Sequence, residues 1–135
     1  METSILNAAQ IDKKITRIAY EIYEEHASEK EIVLAGTVDG GYEFAQKLEL
    51  VLKKISPLKI TLIKVTVNKE ALSEEGAVKL DDGISLKGKT VILVDDVLNT
   101  GKMLSYCMKT ILQFPVKCLR IALESFSDPQ TCVRR

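Results

Sequence analysis

Residues 91–103 read VILVDDVLNTGKM, an apolar run that ends in two adjacent carboxylates and continues into a short polar segment. The four branched apolar residues at 91–94 are typical of a strand that is buried on both faces. A helical pattern follows from Gly101, so the polar segment connects the end of a strand to the start of a helix. In open parallel sheets, ligands bind beyond the carboxyl ends of the strands, which makes this segment a candidate binding site.

The chemistry of this segment suits a phosphorylated sugar. Its backbone amides, the Thr100 hydroxyl and the helix N-terminus together form a predicted anion site. Asp95 and Asp96 carry oxygens that suit sugar hydroxyls or a hydrated Mg²⁺. The alternative is that the two acids only cap the turn, as acidic residues often do. Two carboxylates at one strand end exceed what a cap needs, and this favours ligand binding.

The rest of the chain alternates between predicted helices and strands. Isoleucines at steps of four, three and four predict a helix from about residue 8 to His26, and a buried strand follows at 32–35. A helix is predicted at 42–54, a strand at 59–67 and a long loop at 68–88. A strand at 90–95, a helix at 101–113 and a strand at 117–124 are predicted to follow. This alternation predicts the α/β class, with a doubly wound, mostly parallel sheet of four or five strands and helices on both faces.

Length and composition limit the remaining classes of protein. The chain has 135 residues, which is typical of one domain, so residues 1–135 are predicted to form one unit. Nineteen basic and nineteen acidic residues give zero net charge, which argues against a strongly cationic nucleic-acid binder. Three cysteines without a CxxC pair argue against a disulfide scaffold and fit free thiols in the cytoplasm. No membrane span or secretory signal is expected from the apolar runs or the N-terminus.

Two other patterns suggest functions that their context argues against. Residues 83–90 satisfy GxxxxGK[ST], the phosphate loop of nucleotide hydrolases, but they precede a predicted strand instead of a helix. The run VILVDDV also resembles the first strand of a phosphoacceptor receiver domain. A receiver needs later strands that carry a further Asp and Lys, and the 39 residues after Asp96 are too few for that layout.

Residues 91–103 also resemble the ribosyl-phosphate-binding motif of type I phosphoribosyltransferases, which bind phosphoribosyl pyrophosphate (PRPP) with a strand, two acids and a Thr/Gly loop. Residues 16–22 are similar to the first helix of pyrimidine-operon regulators that have uracil phosphoribosyltransferase activity. Residues 32–41 look like the family's first strand and pyrophosphate loop, and residues 86–89 look like the lead-in to the motif. The resemblance covers about residues 5–125 of the chain.

This resemblance implies a Rossmann-like core, with residues 126–135 as a short tail, that binds PRPP or a nucleoside monophosphate in nucleotide metabolism. It also implies a homodimer and Mg²⁺ as cofactor. Asp95 and Asp96 would face the ribose hydroxyls. Mg²⁺ would be bound together with PRPP, and Asp95 and Asp96 are the protein residues that could contact it. The remaining implied contacts are with the 5′-phosphate, from Leu98, Asn99, Thr100, Gly101, Lys102 and Met103, and with the pyrophosphate, from Thr37, Val38, Asp39, Gly40 and Gly41.

The sequence departs from the family pattern at three residues and at its C-terminus. Met103 stands where a small hydroxyl residue is usual, and Asn99 stands where Ser, Thr or Ala is commoner. Asp39 places a carboxylate in a loop that usually carries Lys or Arg, and this charge would repel departing pyrophosphate. Most of the base-recognising hood is expected to be missing, since the chain ends at Arg135. Two functions stay open: a phosphoribosyltransferase (a glycosyltransferase) that acts on a nucleobase, and a non-catalytic sensor of PRPP or nucleotide in pyrimidine metabolism.

Basic residues outside the motif suggest two further roles that the sequence does not favour. The longest predicted loop would close over the site as a lid and bring Lys69 or Lys79 to the pyrophosphate, but ordinary solvated lysines are the favoured interpretation. Lys13, Lys14 and Arg17 would form a small basic patch for RNA, as the regulator resemblance suggests. Because the net charge is zero, a solvated helix face is favoured there too.

Overall fold

One five-stranded sheet organises the computed structural model of this chain, which describes residues 8–37, 40–68, 70, 76–81, 83–95 and 101–123. The helices are α1 (Ala8–Glu25), α2 (Gly40–Ile55) and α3 (Gly101–Ile111). The strands are β1 (Glu31–Thr37), β2 (Lys59–Val67), β3 (Val78–Leu80), β4 (Thr90–Asp95) and β5 (Cys118–Leu123). Within the described ranges, no helix is both long and apolar enough to cross a lipid bilayer.

The strand order in the sheet is β3-β2-β1-β4-β5, and β3 is the antiparallel member of an otherwise parallel arrangement. The chain passes from β1 outward to β2 and then crosses back to place β4 on the other side of β1. The direction of winding therefore reverses between β1 and β4, which is the topological switch point where open α/β sheets bind ligands. Gly36 lies opposite Val94 in that pairing. The predicted doubly wound, mostly parallel fold is confirmed.

Apolar side chains cover both faces of the sheet. α1 and α2 pack on one face, where Ile22 and Leu48 share a buried cluster with Leu34. α3 packs on the other face, where Ile111 shares a second cluster with Leu93. Full burial of such a side chain contributes about 1.5–3 kcal/mol to folding. The continuous apolar runs in β1 and β4 are buried on both faces, as their sequence predicts.

The longest predicted loop contains a strand that the sequence analysis missed. β3 pairs antiparallel with the end of β2, with Val78 opposite Val67 and Leu80 opposite Val65. Three residues are too few to show a strand periodicity, so only the tertiary pairing reveals this element. Leu86, in the same predicted loop, is fully buried in the cluster beneath α3. The segment is thus anchored at two points and contributes the edge strand of the sheet.

Ion pairs join the amino ends of β1, β4 and β5 at the edge opposite the switch point. Lys89 Nζ lies 2.6 Å from Glu31 Oε1, and Lys117 Nζ lies 3.0 Å from Glu29 Oε1. The Thr90 hydroxyl also donates a hydrogen bond to Glu29, at 3.1 Å. The GxxxxGK[ST] pattern ends here, at the first residue of β4, so its predicted position before a strand is confirmed.

The cysteines depart from the expectation of free thiols. Cys107 on α3 is a free and fully buried thiol. Cys118 on β5, in contrast, is disulfide-bonded. The expectation is therefore wrong for Cys118, because tertiary folding brings cysteines into bonding distance whether or not they form a CxxC pair.

Candidate functional site

A hydrogen bond joins the carboxyl ends of β1 and β4 at the switch point. Thr37 Oγ1 donates to Asp95 Oδ1 at 2.6 Å, a length typical of a hydroxyl bound to a charged carboxylate. Both side chains are buried, with exposed fractions of 0% for Thr37 and 1% for Asp95. The bond connects residues 58 positions apart in the chain, and the sequence assigns one to a pyrophosphate loop and the other to a ribose site. The structure therefore brings these two predicted segments together.

Two glycines allow α2 to begin directly against this pair. A Cβ atom on Gly41 would lie 2.7 Å from the Val94 carbonyl oxygen and would overlap Thr37 Oγ1. A Cβ atom on Gly36 would lie 2.6 Å from the Cα of Tyr42. Only glycine fits at either position without a backbone shift. The first turn of α2 is thus held at the carboxyl edge of the sheet, where its backbone amides can attract an anion.

Lys64 adds a positive charge beside this helix start, and the sequence analysis did not identify it. Lys64 lies opposite Gly36 in the pairing of β2 with β1. Its Nζ is 5.0 Å from the centroid of the Tyr42 ring, within the range of a cation–π interaction. Its backbone amide donates to Asp81 Oδ2 at 3.0 Å. A lysine within the apolar run ITLIKV was the available signal, but only the fold shows that this lysine lies beside the start of α2.

Cys107 on α3 lies close enough to Asp95 for the charge of that carboxylate to affect the pKa of its thiol. Burial, together with the negative charge of Asp95, raises the pKa of the Cys107 thiol to about 12. The thiol is therefore protonated at physiological pH and is not a nucleophile. The interpretation of Cys107 as a core residue is confirmed by its full burial.

The predicted phosphate contacts are described in part. α3 begins at Gly101, as predicted, and so places a helix N-terminus after β4. Met103, in the first turn of that helix, is 4% exposed, and its thioether offers no donor to a phosphate. The other predicted site residues lie outside the described residues: Val38, Asp39, Asp96, Leu98, Asn99, Thr100, the side chain of Lys102 and, in the predicted lid, Lys69.

Basic residues elsewhere are mostly exposed where they are described. Lys79 is exposed on β3, and Lys13 and Arg17 are exposed on α1, while Lys14 is half-buried. Solvation alone accounts for such side chains on an amphipathic helix or an edge strand. The lid and the RNA patch therefore stay predictions.

The switch point defines the class of this protein: an α/β fold in which the acidic end of β4 lies beside the first turn of α2 and is followed in the chain by α3, an arrangement suited to a phosphorylated ligand. The family model of the phosphoribosyl transferase domain matches residues 1–126. The chain belongs to the type I phosphoribosyltransferase family, as its sequence predicted.

Curated relatives carry the name Bifunctional protein PyrR. The protein of that name from Haemophilus ducreyi is 30% identical over 120 residues, which cover 84% of this chain and 67% of that protein. The one from Clostridium kluyveri is 32% identical over 107 residues, which cover 76% of this chain and 60% of that protein. The chain thus spans about two thirds of the length of these relatives.

Solved structures with the same fold include two purine-related phosphoribosyltransferases. A hypoxanthine phosphoribosyl transferase from Trypanosoma cruzi has a TM-score of 0.77 and 17% identity, covering 95% of this chain and 73% of that chain. A hypoxanthine-guanine phosphoribosyltransferase from Bacillus anthracis has a TM-score of 0.73 and 23% identity, covering 89% of this chain and 68% of that chain. At these identities the likeness establishes the fold alone.

Proposed function

We propose that this protein binds PRPP or a nucleoside monophosphate between the ends of β1 and β4 and transfers the phosphoribosyl group to a nucleobase. Mg²⁺ is its proposed cofactor, and a cytoplasmic homodimer is its proposed form. The observation that carries the proposal is the 2.6 Å hydrogen bond from Thr37 to Asp95, which joins the segments assigned to pyrophosphate and to ribose. Membership of the phosphoribosyltransferase family supports a ligand of this class.

Each part of PRPP would meet a different element of the fold. Residues 98–103, the last three of which begin α3, would bind the 5′-phosphate through backbone amides and the helix dipole. Asp95 and Asp96 would form the ribose subsite, and residues 37–41 would lie beside the pyrophosphate. Because β1 and β4 are paired neighbours, one ligand with phosphate groups at both ends would reach both loops.

Transfer requires positive charge near the pyrophosphate as its bond to the anomeric carbon breaks. Asp39 brings the opposite sign of charge into the loop. The ammonium of Lys64, which lies over the Tyr42 ring next to Gly41, would add positive charge at the start of α2. We therefore assign Lys64 to the pyrophosphate subsite, in addition to residues 37–41.

Mg²⁺ fits this site as a partner of the ligand. Among the described residues, no three His, Cys, Asp or Glu side chains come together in a way that could hold a metal ion. Mg²⁺ is commonly held in proteins by one or two carboxylates, with substrate phosphates and water completing its shell. Asp95 and Asp96 are the protein carboxylates on offer here. When bound with PRPP, Mg²⁺ would supply further positive charge to the pyrophosphate oxygens.

A second candidate function is a non-catalytic sensor of PRPP or nucleotide that regulates pyrimidine metabolism. The identity of Met103 favours it, because this residue in the first turn of α3 stands where the family pattern has a hydroxyl. Backbone amides at a helix N-terminus can bind a phosphate without that hydroxyl. Binding would thus be retained even where the geometry for transfer is incomplete.

Turnover and binding assays separate the two functions. Pyrophosphate release from Mg-PRPP is measured with uracil, hypoxanthine and guanine, and melting temperatures are measured with Mg-PRPP, UMP and GMP. A ligand at a hundred times its dissociation constant stabilises the fold by about 2.7 kcal/mol, or a rise of about 10 °C for a chain of this size. Release with one base identifies a transferase, and a thermal shift without release identifies a sensor. If no ligand shifts the melting temperature, both functions are wrong.

A further inference from the structure

We propose that Tyr42 is a positioning residue for the Lys64 ammonium: the Tyr42 ring holds this charge at the start of α2, where it favours ligands that carry pyrophosphate over nucleoside monophosphates. The inference rests on the function proposed above, which assigns Lys64 to the pyrophosphate subsite. It adds a residue that acts on the ligand through Lys64 and needs no contact with the ligand itself.

The Lys64 ammonium is available to an anion. Its side chain is exposed, and none of the acidic residues that the structure describes forms an ion pair with it. Asp81 contacts Lys64, but its Oδ2 accepts a hydrogen bond from the Lys64 backbone amide, at 3.0 Å, instead of pairing with the ammonium. A pyrophosphate can therefore bind this ammonium without displacing a carboxylate.

The Tyr42 ring restrains this ammonium. Lys64 Nζ lies 5.0 Å from the ring centroid, within the distance at which the face of an aromatic ring attracts a cation. A lysine side chain that is free in water has many rotamers, and binding an anion must remove that freedom. Because the ring removes part of it before the ligand arrives, the charge is pre-organised for binding.

The backbone holds the ring and the lysine at one level of the sheet. Lys64 lies opposite Gly36 in the pairing of β2 with β1. A Cβ atom on Gly36 would lie 2.6 Å from the Cα of Tyr42, so the start of α2 packs directly on this position of β1. The Tyr42 ring thus has a fixed base, and the ammonium that it holds lies beside the helix start assigned to pyrophosphate.

Removing the ring should weaken pyrophosphate-containing ligands selectively. Tyr42→Leu leaves Lys64 in place but releases its ammonium, so we expect Mg-PRPP affinity to fall about two- to fivefold. UMP and GMP carry no pyrophosphate, and their affinities should stay within about 1.5-fold of the wild type. Tyr42→Phe keeps the ring face and removes only the hydroxyl, so it is expected to bind all three ligands as the wild type does.

A double-mutant cycle with Lys64→Met separates positioning from a merely structural role. In the Lys64→Met background no ammonium is left to position, so Tyr42→Leu should cause no further loss of Mg-PRPP affinity. Titration calorimetry of the full chain measures each corner of the cycle. Tyr20→Leu, at a tyrosine that is 48% exposed on α1, is the matched control and should change no affinity. Circular dichroism confirms folding, and Tyr42→Met replaces Tyr42→Leu if the latter does not fold.

NMR of the Lys64 side chain checks the contact without any ligand. A methylene group that lies over an aromatic ring has its proton resonances shifted upfield by the ring current. We expect this shift for the Lys64 Cε protons in the wild type and in Tyr42→Phe, and its loss in Tyr42→Leu.

A selective loss of Mg-PRPP affinity in Tyr42→Leu, recovery in Tyr42→Phe and no further loss in the Lys64→Met background support the positioning role. Unchanged affinity in Tyr42→Leu, equal losses for PRPP and the monophosphates, or an undiminished loss in the Lys64→Met background would overturn it, while the proposed function would stand. If the wild type binds neither PRPP nor either monophosphate, the proposed function fails and this inference fails with it.

Discussion

The ammonium of Lys64 lies 5.0 Å from the centre of the Tyr42 ring, which places a cation from β2 over the first turn of α2. The ring face carries partial negative charge and attracts the ammonium. Three strands thus contribute polar side chains to the carboxyl edge of the sheet: β2 provides the Lys64 ammonium, β1 the Thr37 hydroxyl and β4 the Asp95 carboxylate.

Replacing Lys64 should weaken pyrophosphate-containing ligands selectively. Lys64→Met keeps the aliphatic stem and removes the charge, so we expect Mg-PRPP affinity to fall by about tenfold, with UMP and GMP affected by less than about twofold. Titration calorimetry measures both. Lys109→Met, an exposed lysine on α3, is the control and should change neither affinity. Equal losses for both ligand classes would show that Lys64 acts on the fold and not on pyrophosphate.

Adding one methyl group at Gly41 should disturb stability and binding together. The new Cβ would lie 2.7 Å from the Val94 carbonyl oxygen, so the backbone must shift. We expect Gly41→Ala to lose about 1–3 kcal/mol of unfolding free energy and at least about tenfold in Mg-PRPP affinity.

Gly83→Ala is the comparison for Gly41→Ala. Gly83 has a φ of +74° and no atom within 4 Å of the added Cβ, so its cost is backbone strain of about 1–2 kcal/mol. Urea unfolding and calorimetry should show a stability loss without a binding loss. Unchanged binding in Gly41→Ala would contradict the proposed contact between α2 and the ligand.

Arg120 should be replaceable by an apolar residue without loss of stability. Its side chain is 1% exposed on β5 and forms an ion pair with Glu25 at the end of α1. Its Nε has no hydrogen-bond partner among the described residues. Burial lowers the pKa of its guanidinium, and the charge of Glu21 partly opposes that shift.

Desolvating an arginine often outweighs the ion pair that it gains. We expect Arg120→Met to be neutral or more stable by up to about 2 kcal/mol in urea unfolding, whereas Glu25→Gln should lose about 1 kcal/mol or more. A large loss in Arg120→Met would show that the buried pair stabilises the fold.

The ion pair at the amino end of β1 should make stability depend on acid pH. Burial raises the pKa of Glu29, but hydrogen bonds from Lys117 and Thr90 and the charge of Lys117 outweigh it, so the net pKa lies below its ordinary value of 4.5. Because the pKa of Glu29 is lowered, the ion pair stabilises the fold fully at a pH above 4.5, the ordinary pKa of this carboxyl. This stabilisation is lost as the pH falls through the lowered pKa of the folded protein.

Thermal unfolding between about pH 6 and pH 2.5 measures this contribution, which surface screening limits to about 1 kcal/mol or less. Glu29→Gln and Lys117→Met should each flatten the acid side of the curve. Curves that run parallel to the wild type across this range would show that the pair contributes nothing to the pH dependence.

Sequence reasoning predicted most of this fold because its signals were local. The continuous apolar runs of β1 and β4 and the isoleucine stripe of α1 identify their elements without tertiary information. The alternation of those elements restricts the topology to a doubly wound sheet. β3 was not predicted from the sequence, because its three residues form a strand only through pairing with Val65–Val67.

The candidate site was predictable in part for the same reason. The acid pair and the glycine loop are each a short, unbroken stretch of sequence, so each can be recognised locally. The topology of the sheet then places the two stretches side by side. The Thr37–Asp95 bond and the Lys64 ammonium depend on register between strands that are distant in the chain. No local pattern encodes that register, so the roles of these side chains emerge only from the structure.

Titration of the wild type and Asp96→Asn with Mg-PRPP tests the proposed ligand site most directly. We predict saturable binding at one site per chain in the wild type, a loss of about tenfold or more in Asp96→Asn, and unchanged binding in Asp12→Asn on the exposed face of α1. Equal affinities in the wild type and Asp96→Asn, or the absence of binding heat in the wild type, would contradict a PRPP site at the end of β4.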